Sequence, residues 1–116
     1  MSELLDRLDA YGVNISETMD RFVNDTELYE RCLQLLLQDE NWGKLGDALQ
    51  AADLEQAFMA AHTLKGVTGN MGLQRLYDRV CEIVEPLRMH RTDVEYAQAY
   101  RTLMQELEQV KKLLAD

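Results

Sequence analysis

Residues 60–72 read AAHTLKGVTGNMG, and the fold is best deduced by starting from this stretch. At about 100° per residue on an α-helix, its small and apolar residues fall on one face together with one residue of the preceding turn. These residues are Ala57, Ala60, Ala61, Leu64, Val67, Thr68 and Met71. We expect this face to point into a helical bundle. His62 falls roughly opposite its centre, so we predict an imidazole exposed to solvent in mid-helix.

The face that carries His62 has an unusual composition for an exposed surface. It comprises Glu55, Phe58, Met59, Lys65, Gly66 and Gly69. Each glycine costs about 1 kcal/mol relative to alanine in a helix interior. We therefore expect a partner to approach this face closely, because Gly66, one turn beyond His62, removes an obstructing side chain. Phe58 and Met59 would supply the apolar contacts of a docking surface.

His62 and Lys65 together suggest a chemical role for this face. An imidazole with an ordinary pKa of about 6.5 offers a neutral, nucleophilic nitrogen near neutral pH. Lys65 lies at i+3 on the same flank, where its ammonium would partly neutralise a group carrying about two negative charges. Phosphoryl transfer requires mainly alignment and charge stabilisation, and a partner can bring the carboxylate and the metal.

Outward from this stretch, nearly every segment has helical periodicity. We predict two short N-terminal helices, one at 4–8 that stops near Gly12 and one that begins at Ser16. We predict four longer helices: from Asp25 or Thr26 to about Asp39, from Asp53 to about Gly69, over 73–89 with Pro86 in the last turn, and from Thr92 or Asp93 onward. Between the first two of these we expect a break at 41–43 and a short helical restart at 45–49. Four long amphipathic helices joined by short loops predict an all-α fold, an up-down-up-down four-helix bundle with the two short N-terminal helices capping one end. We expect one domain, 1–116.

The apolar positions of two of the long helices are expected to face the core. They are Leu28, Tyr29, Cys32, Leu35 and Leu36 on one helix, and Ala97, Tyr100, Leu103, Met104, Leu107, Val110 and Leu114 on the last. Cys32 and Cys81 lie among apolar residues without metal-ligand spacing, and we interpret them as reduced core thiols.

Composition excludes several classes of function. Hydrophobic residues make up 47% of the 116-residue chain, which favours a packed globule. The formal net charge of −9 argues against binding nucleic acid or an anionic membrane. There is no signal segment, no run long enough to span a membrane and no nucleotide-binding loop, so we expect a cytoplasmic protein that does not phosphorylate itself from ATP. No pair of residues has zinc-ligand spacing, so no metal is expected.

The motif residues resemble those of the histidine-containing phosphotransfer (HPt) family. The match comprises His62-Thr63-Leu64-Lys65-Gly66, the turn Gly69-Asn70-Met71-Gly72-Leu73, and upstream Val13-Asn14-Ile15, Arg21-Phe22, Glu27-Leu28-Tyr29 and Ala60-Ala61, which together cover about residues 4–90.

The resemblance implies that His62 is phosphorylated on the nitrogen remote from the backbone, with Lys65 and Gly66 around it. Partners would be receiver domains of response regulators or hybrid sensor kinases, which hold Mg²⁺ and the accepting aspartate, so the chain itself needs no cofactor. We expect a monomer. Family members often place a polar side chain of the next helix against the histidine, and the candidates are Arg75, Asp78, Arg79 and Glu82. The predicted partner-binding residues are Phe58, Met59, Gly69, Arg75 and Arg79.

Two alternatives remain open at this point. The His62 face could be a non-covalent helical docking or adaptor module, or the chain could be an enzyme or metal bundle that uses His62 and acidic groups. We interpret His90, near a predicted helix end, as a surface residue or a complement to the helix dipole. The sequence does not name the donor or acceptor, nor does it say whether this is a whole protein or a domain of a larger sensor kinase.

Overall fold

The structure, a computed structural model that describes residues 3–115, is built from α-helices joined by short loops. In chain order the helices are α1 (Glu3–Tyr11), α2 (Ile15–Arg21), α3 (Thr26–Leu37), α4 (Asn41–Gln50), α5 (Leu54–Asn70), α6 (Gln74–Arg88) and α7 (Tyr96–Leu114). The described residues contain no β-strand, which confirms the predicted all-α class. None of their helices is long and apolar enough to cross a membrane. Residues 1, 2 and 116 of the predicted domain lie outside the described range.

The helices pack around one apolar core that runs from α1 to α7. α5 contacts both α4 and α6, α6 contacts α7, and α7 also contacts α4, α1 and α3. The largest fully buried aliphatic side chains are Leu8, Leu33, Leu45, Leu64, Leu73, Leu76, Ile83 and Leu103. Burying one side chain of this size contributes about 1.5–3 kcal/mol, so the core is the main stabilising element of the bundle.

The α5–α6 hairpin forms as the sequence predicts. Asp53 caps α5 because its Oδ1 accepts a hydrogen bond from the backbone N–H of Gln56 at 3.2 Å. Gly72 follows the end of α5 with a φ of +73°, a left-handed conformation that glycine adopts without strain. A Cβ at Gly72 would also collide with the hydroxyl of Thr18 on α2. The chain therefore turns at this glycine and α6 returns along α5.

Two predicted helix starts are wrong. α2 is capped by Asn14 rather than Ser16, because the Asn14 Oδ1 accepts the backbone N–H of Glu17 at 3.0 Å. α7 begins at Tyr96, several residues after the predicted cap at Thr92 or Asp93. Asp93 instead pairs with Arg91, and the two contacts are 3.0 Å each. A side chain that has a nearby cationic partner is no longer available as a helix cap.

The predicted break at 41–43 is also wrong, because α4 begins at Asn41 and runs through Trp42 and Gly43. Trp42 is buried, and its indole N–H donates to the Leu36 carbonyl at 2.8 Å. The Trp42 carbonyl in turn accepts from the Tyr100 hydroxyl of α7 at 2.8 Å. These tertiary contacts hold the segment helical despite its weak local propensity.

The core-facing positions of two helices differ from those predicted. On α3 the buried residues are Tyr29, Leu33 and Leu36, whereas Leu35 is 62% exposed. This helix carries leucines on more than one face, so periodicity alone did not identify the buried stripe. On α7 the carboxylate residue Glu106 is buried and Ala97 is exposed.

Both cysteines have free thiols and lie half-buried, rather than deep in the core as predicted. Cys32 packs against the edge of the apolar core.

Candidate functional site

His62 is exposed near the middle of α5, as the helical periodicity predicts. The opposite face of the helix is buried through Ala57, Ala60, Ala61 and Leu64. Small side chains on this inner face let α5 lie close to its neighbours and fix the helix rotation. The orientation of the His62 side chain therefore follows from the packing of residues that do not touch it.

Phe58 lies one turn before His62 and stacks on its imidazole. The ring centroids are 5.5 Å apart and the two planes differ by 17°. Phe58 is half-buried, which gives the imidazole a fixed surface to rest on, and the neighbouring Met59 is 56% exposed. Stacking between aromatic rings favours one ring orientation over free rotation. The apolar side chains that the sequence assigned to a docking surface thus include one that also contacts the histidine.

Lys65 reaches across to α6 and pairs with Glu85. The Lys65 Nζ lies 2.9 Å from the Glu85 Oε1. The hydrogen bond raises the pKa of the Lys65 ammonium and lowers the pKa of the Glu85 carboxyl, so both groups stay charged over a wide pH range. Lys65 was predicted on the His62 flank, but its ionic partner could not be named from the sequence.

Arg88 joins the same cluster from the last turn of α6. Its Nε lies 3.4 Å from the second carboxylate oxygen of Glu85, and its guanidinium carbon lies 5.3 Å from the centre of the Phe58 ring. Glu85 and Arg88 are functional candidates that the sequence reasoning missed. A count of equal distances on either side of the α5–α6 turn places position 86 opposite Phe58, within two residues of Arg88.

The four α6 residues proposed from the sequence to contact His62 have other partners in the structure. Arg75, Arg79 and Glu82 follow one another at i, i+4 and i+7 along α6, and Glu85 lies one turn beyond Glu82. The guanidinium of Arg75 lies over the Tyr11 ring of α1. Arg79 pairs with Glu82 at 2.6 Å.

The fourth candidate, Asp78, accepts a hydrogen bond from the Gln74 side chain at 2.8 Å, near the start of α6. The assignment of these four residues to the His62 site stays a prediction, because periodicity shows which residues share a flank but not which flank the neighbouring helix covers.

The two glycines of the His62 face have different surroundings. A Cβ built on Gly66 would meet nothing within 4 Å, so the space one turn beyond His62 is open. A Cβ on Gly69 would lie 3.3 Å from the Tyr77 ring of α6. Gly69 therefore has a packing role within the fold, and only Gly66 is left without one.

His90 lies at the end of α6, where it lines a pocket together with Phe58 and Arg88. It is exposed and adopts a left-handed conformation with a φ of +57°. Its backbone N–H donates to the Leu87 carbonyl at 3.0 Å, which closes the last helical turn. These contacts agree with the prediction of a surface residue at a helix end.

The arrangement suits a small anionic group. An oriented imidazole faces solvent, two cations lie on the same side, and the approach past Gly66 is open. Among residues 3–115 no group of three or more His, Cys, Asp or Glu side chains is placed to hold a metal ion.

Comparison with known proteins gives one match. The model of the Hpt domain family matches residues 27–113, which is most of the chain and includes every residue of the cluster described above. No curated protein and no solved structure matches the chain.

Proposed function

This chain belongs to the Hpt domain family, and we propose that it carries a phosphoryl group on His62 between aspartates of receiver domains. Hpt domains are phosphocarrier modules of phosphorelays rather than kinases, and they interact with the receiver domains of response regulators. The observation that supports His62 as the carrier is its exposed, stacked imidazole beside the open space at Gly66.

The proposed step exchanges one bond to phosphorus for another. The lone pair of His62 Nε2, the ring nitrogen remote from the backbone, attacks the phosphorus of an aspartyl phosphate on the partner. A P–N bond forms as the P–O bond breaks, and the electron pair of that bond returns to the aspartate carboxylate. The Nδ1 proton can be lost to solvent, and the reverse step donates the group to a second receiver. The chain supplies alignment and positive charge, and the receiver supplies Mg²⁺.

Phe58 and Lys65 have separate parts in this proposal. Stacking on Phe58 holds the imidazole in one orientation, so less conformational freedom is lost when the partner docks. The Lys65 ammonium lies one turn from His62, where it can balance part of the charge of a phosphoryl group.

We propose that receivers dock on the surface formed by Phe58, Met59, Gly66 and Gly69. Met59 is the most exposed large apolar side chain of this surface, which supports a contact role. Arg75 and Arg79, also predicted to bind partners, lie on the flank of α6 that faces α1 and fall outside this surface.

The finer features of the fold are part of the same proposal. The contacts of α4 with α5, α5 with α6, α6 with α7, and α7 with α4 form a closed ring, which supports an up-down-up-down four-helix bundle with α4 in the place predicted for α3. We propose that α1 and α2 cap one end, that residues 1–116 form one monomeric domain, and that it acts in the cytoplasm.

The test compares two histidine variants for acid-labile phosphorylation by a phosphorylated receiver domain. His62→Gln should abolish labelling and His90→Gln should retain it, while circular dichroism shows equal helicity in both. Full labelling of His62→Gln would refute the assignment. Receiver binding without labelling of the unaltered chain would instead favour the non-covalent docking module.

A further inference from the structure

Glu85 is the one feature of the site that an acceptor of phosphate does not need. A carboxylate near the imidazole repels an incoming phosphoryl group, yet Glu85 lies in the centre of the cluster. Its two oxygens pair with two different cations, Lys65 of α5 at 2.9 Å and Arg88 of α6 at 3.4 Å. A single carboxylate therefore ties together the cations of two helices.

Both cations are connected to the histidine, one along α5 and the other through Phe58. Lys65 is one turn beyond His62 on the same helix, and Arg88 lies over Phe58, which stacks on His62. The contacts thus lead from the imidazole through Phe58 and Arg88 to Glu85, and from there back to α5 through Lys65. Phe58, Arg88 and Glu85 each contact a member of this series on both sides, whereas the imidazole faces solvent.

The charges and exposures of the cluster allow an exchange of partners. Without phosphate, the two cations and Glu85 sum to one positive charge, and a phosphoryl group adds about two negative charges. The side chains of Glu85 and Arg88 are 50% and 43% exposed, and an ion pair that exposed is weak. A phosphoryl group with three acceptor oxygens makes stronger charge-assisted hydrogen bonds with the same cations.

We propose that Glu85 is a positioning residue that holds Lys65 and Arg88 beside His62 and releases them to the phosphoryl group. This proposal rests on the proposed function of His62. In it, Glu85 competes with phosphohistidine for the cations and so lowers the stability of the phosphorylated form. Because the phosphorylated form is less stable, phosphohistidine at position 62 transfers its phosphoryl group to a receiver more readily and retains it less well.

Glu82 provides a matched control on the same helix. Glu82→Gln removes the same charge as Glu85→Gln, but Glu82 lies one turn earlier and pairs with Arg79, whereas Glu85 pairs with Lys65 and Arg88. A difference between the two variants therefore reports the position of the charge rather than the net charge of the protein.

The probe is phosphoramidate, which needs no partner protein. Its P–N bond breaks as the imidazole nitrogen bonds to phosphorus, and ammonia leaves with the electron pair and takes up the proton that the imidazole releases. Phosphorus-31 NMR at fixed phosphoramidate and ammonium concentrations gives the equilibrium constant for phosphorylation of His62. Glu85→Gln should raise this constant about three- to fivefold, the range expected for releasing exposed ion pairs, and Glu82→Gln should leave it unchanged.

Equal constants for the two variants, or a fall in Glu85→Gln, would overturn the proposal. The effect of Glu85→Gln should also disappear in a Lys65→Ala, Arg88→Ala background, and an undiminished effect there would show simple repulsion instead of cation release. If the unaltered chain and His62→Gln show the same signal, the proposed function itself fails. Circular dichroism of each variant separates all these outcomes from loss of fold.

Discussion

Arginines near the two ends of α6 each lie over an aromatic ring and beside a glutamate, but the two glutamates differ in exposure to solvent. At the start of α6 the partners of Arg75 are Tyr11 of α1 and Glu106 of α7. The Tyr11 hydroxyl donates to the Glu106 carboxylate, and burial together with this hydrogen bond raises the pKa of Tyr11. The side chain of Glu106 is only 10% exposed.

At the other end, Arg88 has Phe58 and Glu85 as partners. Phe58 has no hydroxyl, so Glu85 has no aromatic donor and pairs with cations alone. Since half of its side chain is exposed, water can replace either cation at little cost.

The difference teaches that burial and an aromatic hydroxyl together decide what such a cluster does. The Tyr11 hydroxyl and the Glu106 carboxylate cannot separate without leaving a polar group unsatisfied, so they join α1 to α7 permanently. The exposed cluster can exchange partners, so it is suited to a site that gains and loses charge.

The first prediction concerns the removal of the two carboxylates in turn. Glu106→Ala leaves the buried Tyr11 hydroxyl without its acceptor, and we expect a loss of about 1–3 kcal/mol in the free energy of unfolding. Glu85→Ala should leave the urea midpoint nearly unchanged, because water replaces its partners. Glu106→Gln keeps an acceptor oxygen and serves as the control. Equal urea midpoints for the two alanine variants would show that the buried carboxylate stabilises the fold no more than the exposed one.

A second prediction concerns the loss of folding stability at alkaline pH that the buried Tyr29 hydroxyl causes. The Tyr29 hydroxyl donates to the Met71 carbonyl at 2.8 Å, and burial raises the pKa of Tyr29 from 10.0 to about 12. Between these values the unfolded chain releases the proton and the folded chain keeps it, so stability present below pH 10 is lost as the pH rises. The loss attributable to Tyr29 is about 2–3 kcal/mol.

Urea unfolding of the unaltered chain and of Tyr29→Phe over this pH interval measures the effect. The variant should be less stable near neutral pH but should lose less stability on the way to pH 12. Parallel curves for the two proteins would show that Tyr29 does not titrate between the two values.

The smallest expected effect compares two glycines of α5. Gly66→Ala should raise the free energy of unfolding by about 1 kcal/mol, because alanine favours the helix and its Cβ enters open space. Gly69→Ala should gain less, since its Cβ lies 3.3 Å from the Tyr77 ring, which must shift. Thermal unfolding of the two variants measures the difference. A destabilised Gly66→Ala would mean that this position is not open.

Much of α5 was predictable because its determinants are local. The Asp53 cap, the small residues of the inner face and the glycine turn at 72 each act over a few neighbouring residues. The helical period then required His62 to point outward. The cap of α2 and the start of α7 were mispredicted, because several side chains near each start could serve as the cap. At α7 the ion pair of Asp93 with Arg91 competes with capping.

The rest of the site depends on a second helix. Glu85 is 20 residues from Lys65 in the chain, and no local pattern indicates that the two side chains meet. Trp42 shows the same limit in the fold, since its segment looks like a break until the contacts with Leu36 and Tyr100 are known.

The sequence by itself determined that the chain is helical, that α5 has an apolar inner face and that His62 lies on the opposite side. These follow from the helical period and from capping, which act over one or two turns. Only the tertiary structure decided that Glu85 and Arg88 accompany Lys65, that Gly69 packs while Gly66 stays open, and that Glu106 is buried. The physical reason is that the rotation of each helix about its axis is set by the whole core, and a small rotation changes which flank meets a neighbour.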